Sequence, residues 1–373
     1  MTDRPEHDNP DRTADALPAG AIVSPWNRKR ILHGVRVFVG LTVAGLLVLL
    51  ALGKLEGTLE HMRHLLPWAL AVGLAQAAFD VVAGGARIWL LTRAFGHRIG
   101  IGPAIVANGG NIFLGGLTPS QTGGGVAQLY VLIRGGTPLN VAMIASLVGF
   151  LGTAVALLAA ALVVATVDVS VQLPAGLLAF SWGTVGLFLV VVGLFAVSVP
   201  RPEVYRGGLR RCLARVPGLR SRLQGSRRLL RLERTLEDFS TLMRRAGRHH
   251  PWKIAASVAL SALIYLNKFV LGWVVLAGLG VAAPFGQVLY LQAMQYLIVY
   301  FAPTPGASGL AEVSAAAIMH PLMAGTRFGA FVLLWRTFSL YLPMLFGGFM
   351  LARYALAGER RVSDRRLDAR ASA

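Results

Sequence analysis

The sequence predicts an all-α polytopic membrane protein, with about six full transmembrane helices and two re-entrant broken-helix segments forming an inverted repeat. Three observations predict it. Of 373 residues, 55% are apolar and 14% charged, well short of the roughly one-quarter charged share of soluble domains. Several apolar runs reach the ~20 residues that cross a bilayer. Two other apolar runs are shorter and end in Pro/Gly-rich sequence that cannot continue a helix. The lone Cys212 excludes an intramolecular disulfide or a cysteine-based metal cluster within one chain. Lys plus Arg 36 against Asp plus Glu 17 gives a net charge of +19. Such an excess suits nucleic acid, anionic lipid or the cytoplasmic loops of a membrane protein, and its position decides among them.

Residues 1–30 mix acids, prolines and small residues, the composition of a disordered cytoplasmic tail. The membrane domain is expected over 31–353 and a second cytoplasmic tail over 354–373. Its first apolar stretch, 37–53, follows Arg28, Lys29, Arg30 and Arg36. It exceeds a signal h-region of about 7 to 15 residues and lacks a small-x-small cleavage site, so it reads as a retained helix. Further spans are expected at 67–91, 141–166, 174–198, 254–279 and 328–352. The short segments 103–117 and 285–302 read as broken or re-entrant.

Loop charges fit this count. With the N-terminus inside, Arg93 and Arg98 fall inside, as does Arg134 if 103–136 enters and returns on one face. The 167–173 connection is then outside and carries no Lys or Arg. The basic loop within 199–253 is inside. The tail with Arg353, Arg360, Arg361, Arg365 and Arg366 also ends inside, provided that 285–326 re-enters from outside. The basic excess is therefore topological. No nucleic-acid partner is expected, and the location is a cell (inner or plasma) membrane with both termini cytoplasmic. In the long loop, Leu229, Leu232, Leu236, Phe239 and Met243 form one helical stripe flanked by Arg227, Arg228, Arg231 and Arg234. This helix either binds anionic leaflet lipids or packs beneath the bundle.

The two broken segments share a pattern. Thr118-Pro119-Ser120-Gln121-Thr122-Gly123 and Thr304-Pro305-Gly306-Ala307-Ser308-Gly309 both read T-P-x-x-[S/T]-G, and each follows a short apolar helix. Interrupted hydrophobic segments at corresponding positions point to an inverted-repeat transporter with a midplane site. Two kinks that tighten the bundle are the plainer reading. Proline removes a donor, glycine admits close backbone approach, and a helix starting at the break offers N–H groups to an anion such as a phosphate headgroup.

Five charges fall at membrane depth: Asp80, Arg87, Lys268, Glu312 and Arg336. Each costs at least ~2.5 kcal/mol on insertion scales, so each should point inward, pair or line water. Arg87, Lys268 and Arg336 are candidates for a cationic headgroup path, with Asp80 and Glu312 as counter-charges or a proton-coupling pair. Snorkelling of Arg87 and a structural Glu312–Arg336 pair are the alternatives.

The stretch Asn111-Ile112-Phe113-Leu114-Gly115-Gly116-Leu117 into Thr118 to Gly125, then Gln128, Tyr130 and Arg134, resembles a signature of the lysylphosphatidylglycerol synthase transmembrane family, the flippase-like part of the multiple-peptide-resistance-factor proteins. Pro303 to Glu312 resembles its PTPGGSG-x-x-E loop, and Arg336 with Tyr341, Pro343 and Gly347 its last-span pattern. The similarity runs over residues 31–353. It implies a lipid translocase with Thr118, Pro119, Gly123, Gly124 and Gln128 in an inner-entry loop. Thr304, Pro305, Gly306, Gly309 and Glu312 would form the outer-entry loop, and Tyr341 would join the site. Only about twenty residues follow the last span, so the synthase domain of full-length relatives is expected to be absent. Gly124-Gly125 and Ala307 depart from the family pattern at positions that bear on headgroup choice.

The rival reading is a polyprenyl-phosphate phosphatase or transferase, because Pro305 to Ser308 resembles the start of a PG-x-S-R loop. Gly309 replaces its arginine, and no acidic cluster for a metal accompanies the first repeat. His320 beside Glu312 and Ser314 lacks a surrounding nucleophile motif. No Walker sequence is present. The expectation is a non-enzymatic, cofactor-free transporter whose partner is a membrane phospholipid or polyprenyl-linked lipid. Homo-oligomerisation, the particular lipid and the energy source are left open.

Overall fold

The computed structural model describes residues 58–166, 175–198, 240–319, 322–323 and 327–371, with isolated positions at 33, 36, 39, 40 and 43. The tail 1–30, nearly all of the expected 37–53 span and the stripe from Leu229 to Phe239 with its arginines lie outside these residues. Among the described residues there is no strand. The helices are α1 (Thr58–Arg63), α2 (Pro67–Ala94), α3 (Ile101–Leu117), α4 (Thr122–Arg134), α5 (Leu139–Thr166) and α6 (Ala175–Ser198). They continue with α7 (Pro251–Gly278), α8 (Phe285–Val299), α9 (Leu310–Met319), α10 (Arg327–Arg336) and α11 (Leu342–Ala371).

Among the described residues, five helical segments are long and apolar enough to cross a membrane: α2, α5, α6, α7 and the joined α10–α11 from Arg327 to Ala357. They coincide, within a few residues at each end, with the five spans expected from 67–91 onward. α3 and α8 occupy the two short apolar segments expected at 103–117 and 285–302. Each turns back through a 3₁₀ turn, Pro119–Gln121 or Pro305–Ala307, into α4 or α9. The multi-pass all-α fold therefore stands, and both expected breaks are tight hairpins.

The duplication runs deeper than six residues. α2 and α7 are both 28 residues long and both open with Pro-Trp, with proline in the first helical turn, where a missing N–H costs nothing. Both close alike: Gly96 and Gly280 take positive φ (83° and 72°), and His97 N and Val281 N donate to Thr92 O and Leu276 O at 3.0 Å. This is the six-to-one bond of a Schellman ending. α3 and α8 then begin at Ile101 and Phe285, preserving the 184-residue offset that separates 67 from 251.

These equivalent helices run antiparallel. Leu66 N donates to Gly278 O (3.0 Å) at one end of the α2–α7 pair, and Lys253 Nζ to Arg93 O (3.4 Å) at the other. Midway, Gln76 Nε2 donates to Asn267 O (3.2 Å) while Asn267 Nδ2 donates to Gln76 O (3.1 Å). Equivalent elements that pack antiparallel are related by an axis perpendicular to their length. The repeat is inverted.

Each hairpin sits in its own apolar core. The first packs Leu114, Leu117, Ala127, Val131 and Leu132 with Met344 and Leu351 of α11. The second packs Val288, Leu291, Ile298, Ala311 and Ile318 with Phe331 and Trp335 of α10. Helices approach closely where glycines allow it. A Cβ on Gly347 would overlap the carbonyl of Gly109, one on Gly348 would lie 2.8 Å from Phe113, and one on Gly116 would strike Met344. Gly125, by contrast, has nothing within 4 Å of its missing Cβ. Gly347→Leu is therefore expected to destabilise the α3–α11 crossing by about 1–3 kcal/mol or more, read as a lower unfolding midpoint in detergent. Gly125→Ala should leave that midpoint unchanged, and equal midpoints for both variants would contradict the crossing.

Candidate functional site

The repeated motif folds the same way twice. Thr118 (φ −122°, ψ 144°) and Thr304 (φ −104°, ψ 149°) are extended, as a residue before proline prefers. Pro119 and Pro305 then start one 3₁₀ turn each. The next two residues are left-handed in both copies: Ser120 (φ 50°) and Gln121 (φ 57°), Gly306 (φ 57°) and Ala307 (φ 57°). Non-glycine residues rarely adopt this region, at a cost of roughly 1–3 kcal/mol each. The chain reversal it permits brings the two tips together. Ser120 N donates to Ala302 O (3.1 Å) and Gln121 Nε2 to Tyr300 O (3.2 Å).

Beyond the fourth motif position the copies diverge. In the first, Thr118 Oγ1 donates to Leu114 O (2.8 Å) and accepts from Gly123 N (2.8 Å), closing the start of α4. A Cβ on Gly123 would lie 2.8 Å from Thr118, and one on Gly124 2.7 Å from Asn111. These two glycines are demanded by packing across the hairpin. In the second copy Gly309 is left-handed (φ 85°), and its N–H donates to Glu312 Oε2 (2.7 Å), the reach-back half of a capping box. Thr304 Oγ1 is left buried without a partner.

Amides line both hairpins at matching places, a feature that the sequence reading missed except for Gln128 and for Asn111 at the head of the family-like stretch. Asn108 donates to Val81 O (3.0 Å) and Asn111 to Gln128 Oε1 (2.7 Å), while Gln128 Nε2 donates to Ser146 Oγ (2.8 Å). At the same offset, Gln292 packs on Gly272, and Gln295 donates to Ser314 Oγ (2.9 Å) and Ala311 O (3.0 Å). Gln128 thus belongs to an internal polar chain. An N-x-x-N and Q-x-x-Q match ahead of each T-P motif was the available signal.

The charges follow no such repeat. Lys268 Nζ lies 2.7 Å from Asp80 Oδ2 across the α2–α7 pair. Arg336 Nε lies 3.0 Å from Glu312 Oε1, with the two side chains 5% and 1% exposed. Arg336 Nη2 also donates to Gly306 O (2.9 Å) and approaches Ser308 Oγ at 3.4 Å. Its guanidinium sits 5.7 Å from the Tyr341 ring. Arg336 therefore grips the second tip by its backbone while Glu312 holds the same loop by an amide. Between Arg336 and Tyr341 the helix loosens into a π turn, Thr337–Tyr341, ahead of Pro343, which lacks an N–H for the α pattern. Phe338 on this turn fills the space left by Gly73. Arg87 stands apart: Nη1 donates to Thr153 Oγ1 (3.0 Å) and Ser261 Oγ (3.1 Å), with no carboxylate bridge among the described residues.

Of the predicted residues, Thr118, Pro119, Thr304, Pro305, Gly306, Gly309, Glu312, Arg336 and Tyr341 gather around the two tips or the ion pair that holds them. Asp80 and Lys268 pair with each other on the neighbouring spans. Together these features define a multi-pass α-helical membrane protein built on two inverted broken-helix hairpins that meet tip to tip. Residues 37–347 match the family model for the lysylphosphatidylglycerol synthase TM region, and the chain belongs to that family. No curated protein and no solved structure matches it. Membership gives it a lipid-related role in the membrane.

Removing one partner of a buried ion pair costs about 3–5 kcal/mol, whereas replacing both by apolar groups is far less harmful. Arg336→Met alone should therefore lower the unfolding midpoint more than the double variant with Glu312→Leu. Additive losses in this double-mutant cycle would show that the pair is not coupled.

Proposed function

We propose that this protein is a flippase-like transporter that moves a phospholipid, or a related lipid with an anionic or aminoacylated headgroup, between the leaflets of the cell membrane. One observation carries the reading: two equivalent hairpins, inverted relative to each other, touch through hydrogen bonds between their tips. Hairpins entering from opposite faces would leave a polar boundary at the midplane where each side's access ends. Separating the tips on one side and then the other gives alternating passage for a headgroup, while its acyl chains remain in lipid. The orientation puts both termini in the cytoplasm, and Arg227, Arg228, Arg231 and Arg234 would contact the anionic leaflet.

A transport role suits the carboxylates better than hydrolysis does. Asp80 is held by Lys268, and Glu312 by Arg336 and the Gly309 amide. Neither stands ready as a general base or metal ligand, so we read the protein as a non-enzymatic carrier without a cofactor.

Leaflet exchange of fluorescent phospholipids in liposomes, read by quencher accessibility, tests this directly. Wild-type protein should accelerate exchange, and folded Glu312→Gln or Arg336→Gln protein should do so at least several-fold less. In a Cys212→Ser background, oxidising Ser120→Cys to Ala302→Cys should arrest exchange, and reduction should restore it. Unchanged exchange through cross-linked tips would remove them from the route. For orientation, Arg98→Cys and Ala282→Cys occupy equivalent exposed positions after α2 and α7. The first should label only from the cytoplasmic side and the second only from outside; labelling of both from one side would undo the inverted assignment.

A further inference from the structure

The five charges at membrane depth do not cancel. Asp80 answers Lys268 and Glu312 answers Arg336, which leaves Arg87 unmatched among the described residues. Its position is built. Nη1 is fixed by Thr153 Oγ1 (3.0 Å) and Ser261 Oγ (3.1 Å), and Ser261 gives its own proton to Ser257 O (3.1 Å). The Ser261 oxygen is therefore oriented as an acceptor for the arginine. A Cβ on Gly149 would lie 3.7 Å from Nε, and one on Gly152 would press 2.7 Å from Ser261 Oγ. Gly152 thus makes room for the serine that orients the guanidinium, whereas a Cβ at 149 would rest against it in ordinary contact.

Two neutral hydroxyls direct a guanidinium without neutralising it. Arg87 Nε is buried and has no hydrogen-bond partner, and Nη2 makes no hydrogen bond among the described residues. Nε and Nη2 form the edge with which arginine takes two oxygens of one oxyanion. An uncompensated guanidinium at membrane depth with that edge unfilled is costly, so the geometry calls for an acceptor that the described residues do not supply.

We propose that Arg87, oriented by Thr153 and Ser261, is an oxyanion site that takes the singly charged phosphodiester of a lipid headgroup on its Nε–Nη2 edge. One unmatched positive charge calls for one negative charge. A phosphodiester carries one, whereas a phosphomonoester or inorganic phosphate approaches two near neutral pH. The lipid source rests on the translocation reading; the oxyanion chemistry does not.

The test is binding of dihexanoylphosphatidylglycerol to the purified full-length protein by calorimetry, with inorganic phosphate as the non-lipid probe. Arg87→Gln should weaken lipid binding at least tenfold. Arg87→Lys keeps the charge but loses the two-pronged edge and should fall between the two. Ser261→Ala should cost only a few-fold, and thermal midpoints establish which variants are folded. Inorganic phosphate should bind at least tenfold more weakly than the lipid. Folded Arg87→Gln protein binding the lipid as tightly as wild type overturns the site, whatever its transport activity. Arg87-dependent binding of phosphate but not of the lipid overturns the lipid assignment. Arg87-dependent lipid binding without wild-type leaflet exchange upholds the site and sinks the translocation reading instead.

Discussion

Hydrocarbon offers no hydrogen bonds, so any backbone that leaves the helix inside a bilayer must find its partners in the protein. Two unwound segments, each with two left-handed residues, would be ruinous alone. Here one tip supplies the acceptors that the other needs: the carbonyls of Tyr300 and Ala302 take donors from Gln121 and Ser120. The side chains of Thr118 and Glu312 close the helix starts that follow. Hairpin packing, the glycine crossings and the grip of Arg336 on Gly306 all serve to keep that arrangement in place.

On this scaffold the amides that line the hairpins obey the repeat and the charges at membrane depth break it. Asn108 and Asn111 have counterparts in Gln292 and Gln295, and Gln128 in Ser314, at offsets that differ only by the two residues gained before the second T-P motif. Asp80, Arg87, Lys268, Glu312 and Arg336 have no charged counterpart at either offset. Each set of amides pins its own hairpin, giving two halves of similar shape. Unshared charges make the halves differ, as any molecule that treats its two faces differently requires.

Spans from α2 onward were legible because a twenty-residue apolar run admits few other readings, and both breaks were legible because proline after threonine stops a helix locally. Of the two ion pairs, Glu312–Arg336 was foreseen as an alternative, whereas Asp80–Lys268 was not. Asp80 and Lys268 meet only because α2 and α7 lie antiparallel, a relation that no local pattern encodes. The amides at 108, 111, 292 and 295 sit singly in apolar helices, where periodicity gives them no weight; only alignment of the halves at their common offset makes them a set. The role of Gly123 and Gly124 in packing against Thr118 and Asn111 was hidden for the same reason, since it depends on how closely α3 and α4 approach.

The π turn at Thr337–Tyr341 has a mechanical consequence. In an unbroken α-helix, advancing roughly 100° per residue, Arg336 and Gly347 would lie almost on one face. The wider turn delays the second by about a quarter revolution, so Trp335 and Arg336 address the second hairpin while Met344, Gly347 and Leu351 address the first. The last span is thus a camshaft with two lobes set out of phase. A rigid shaft of this kind cannot rotate under one hairpin without also shifting its bearing on the other.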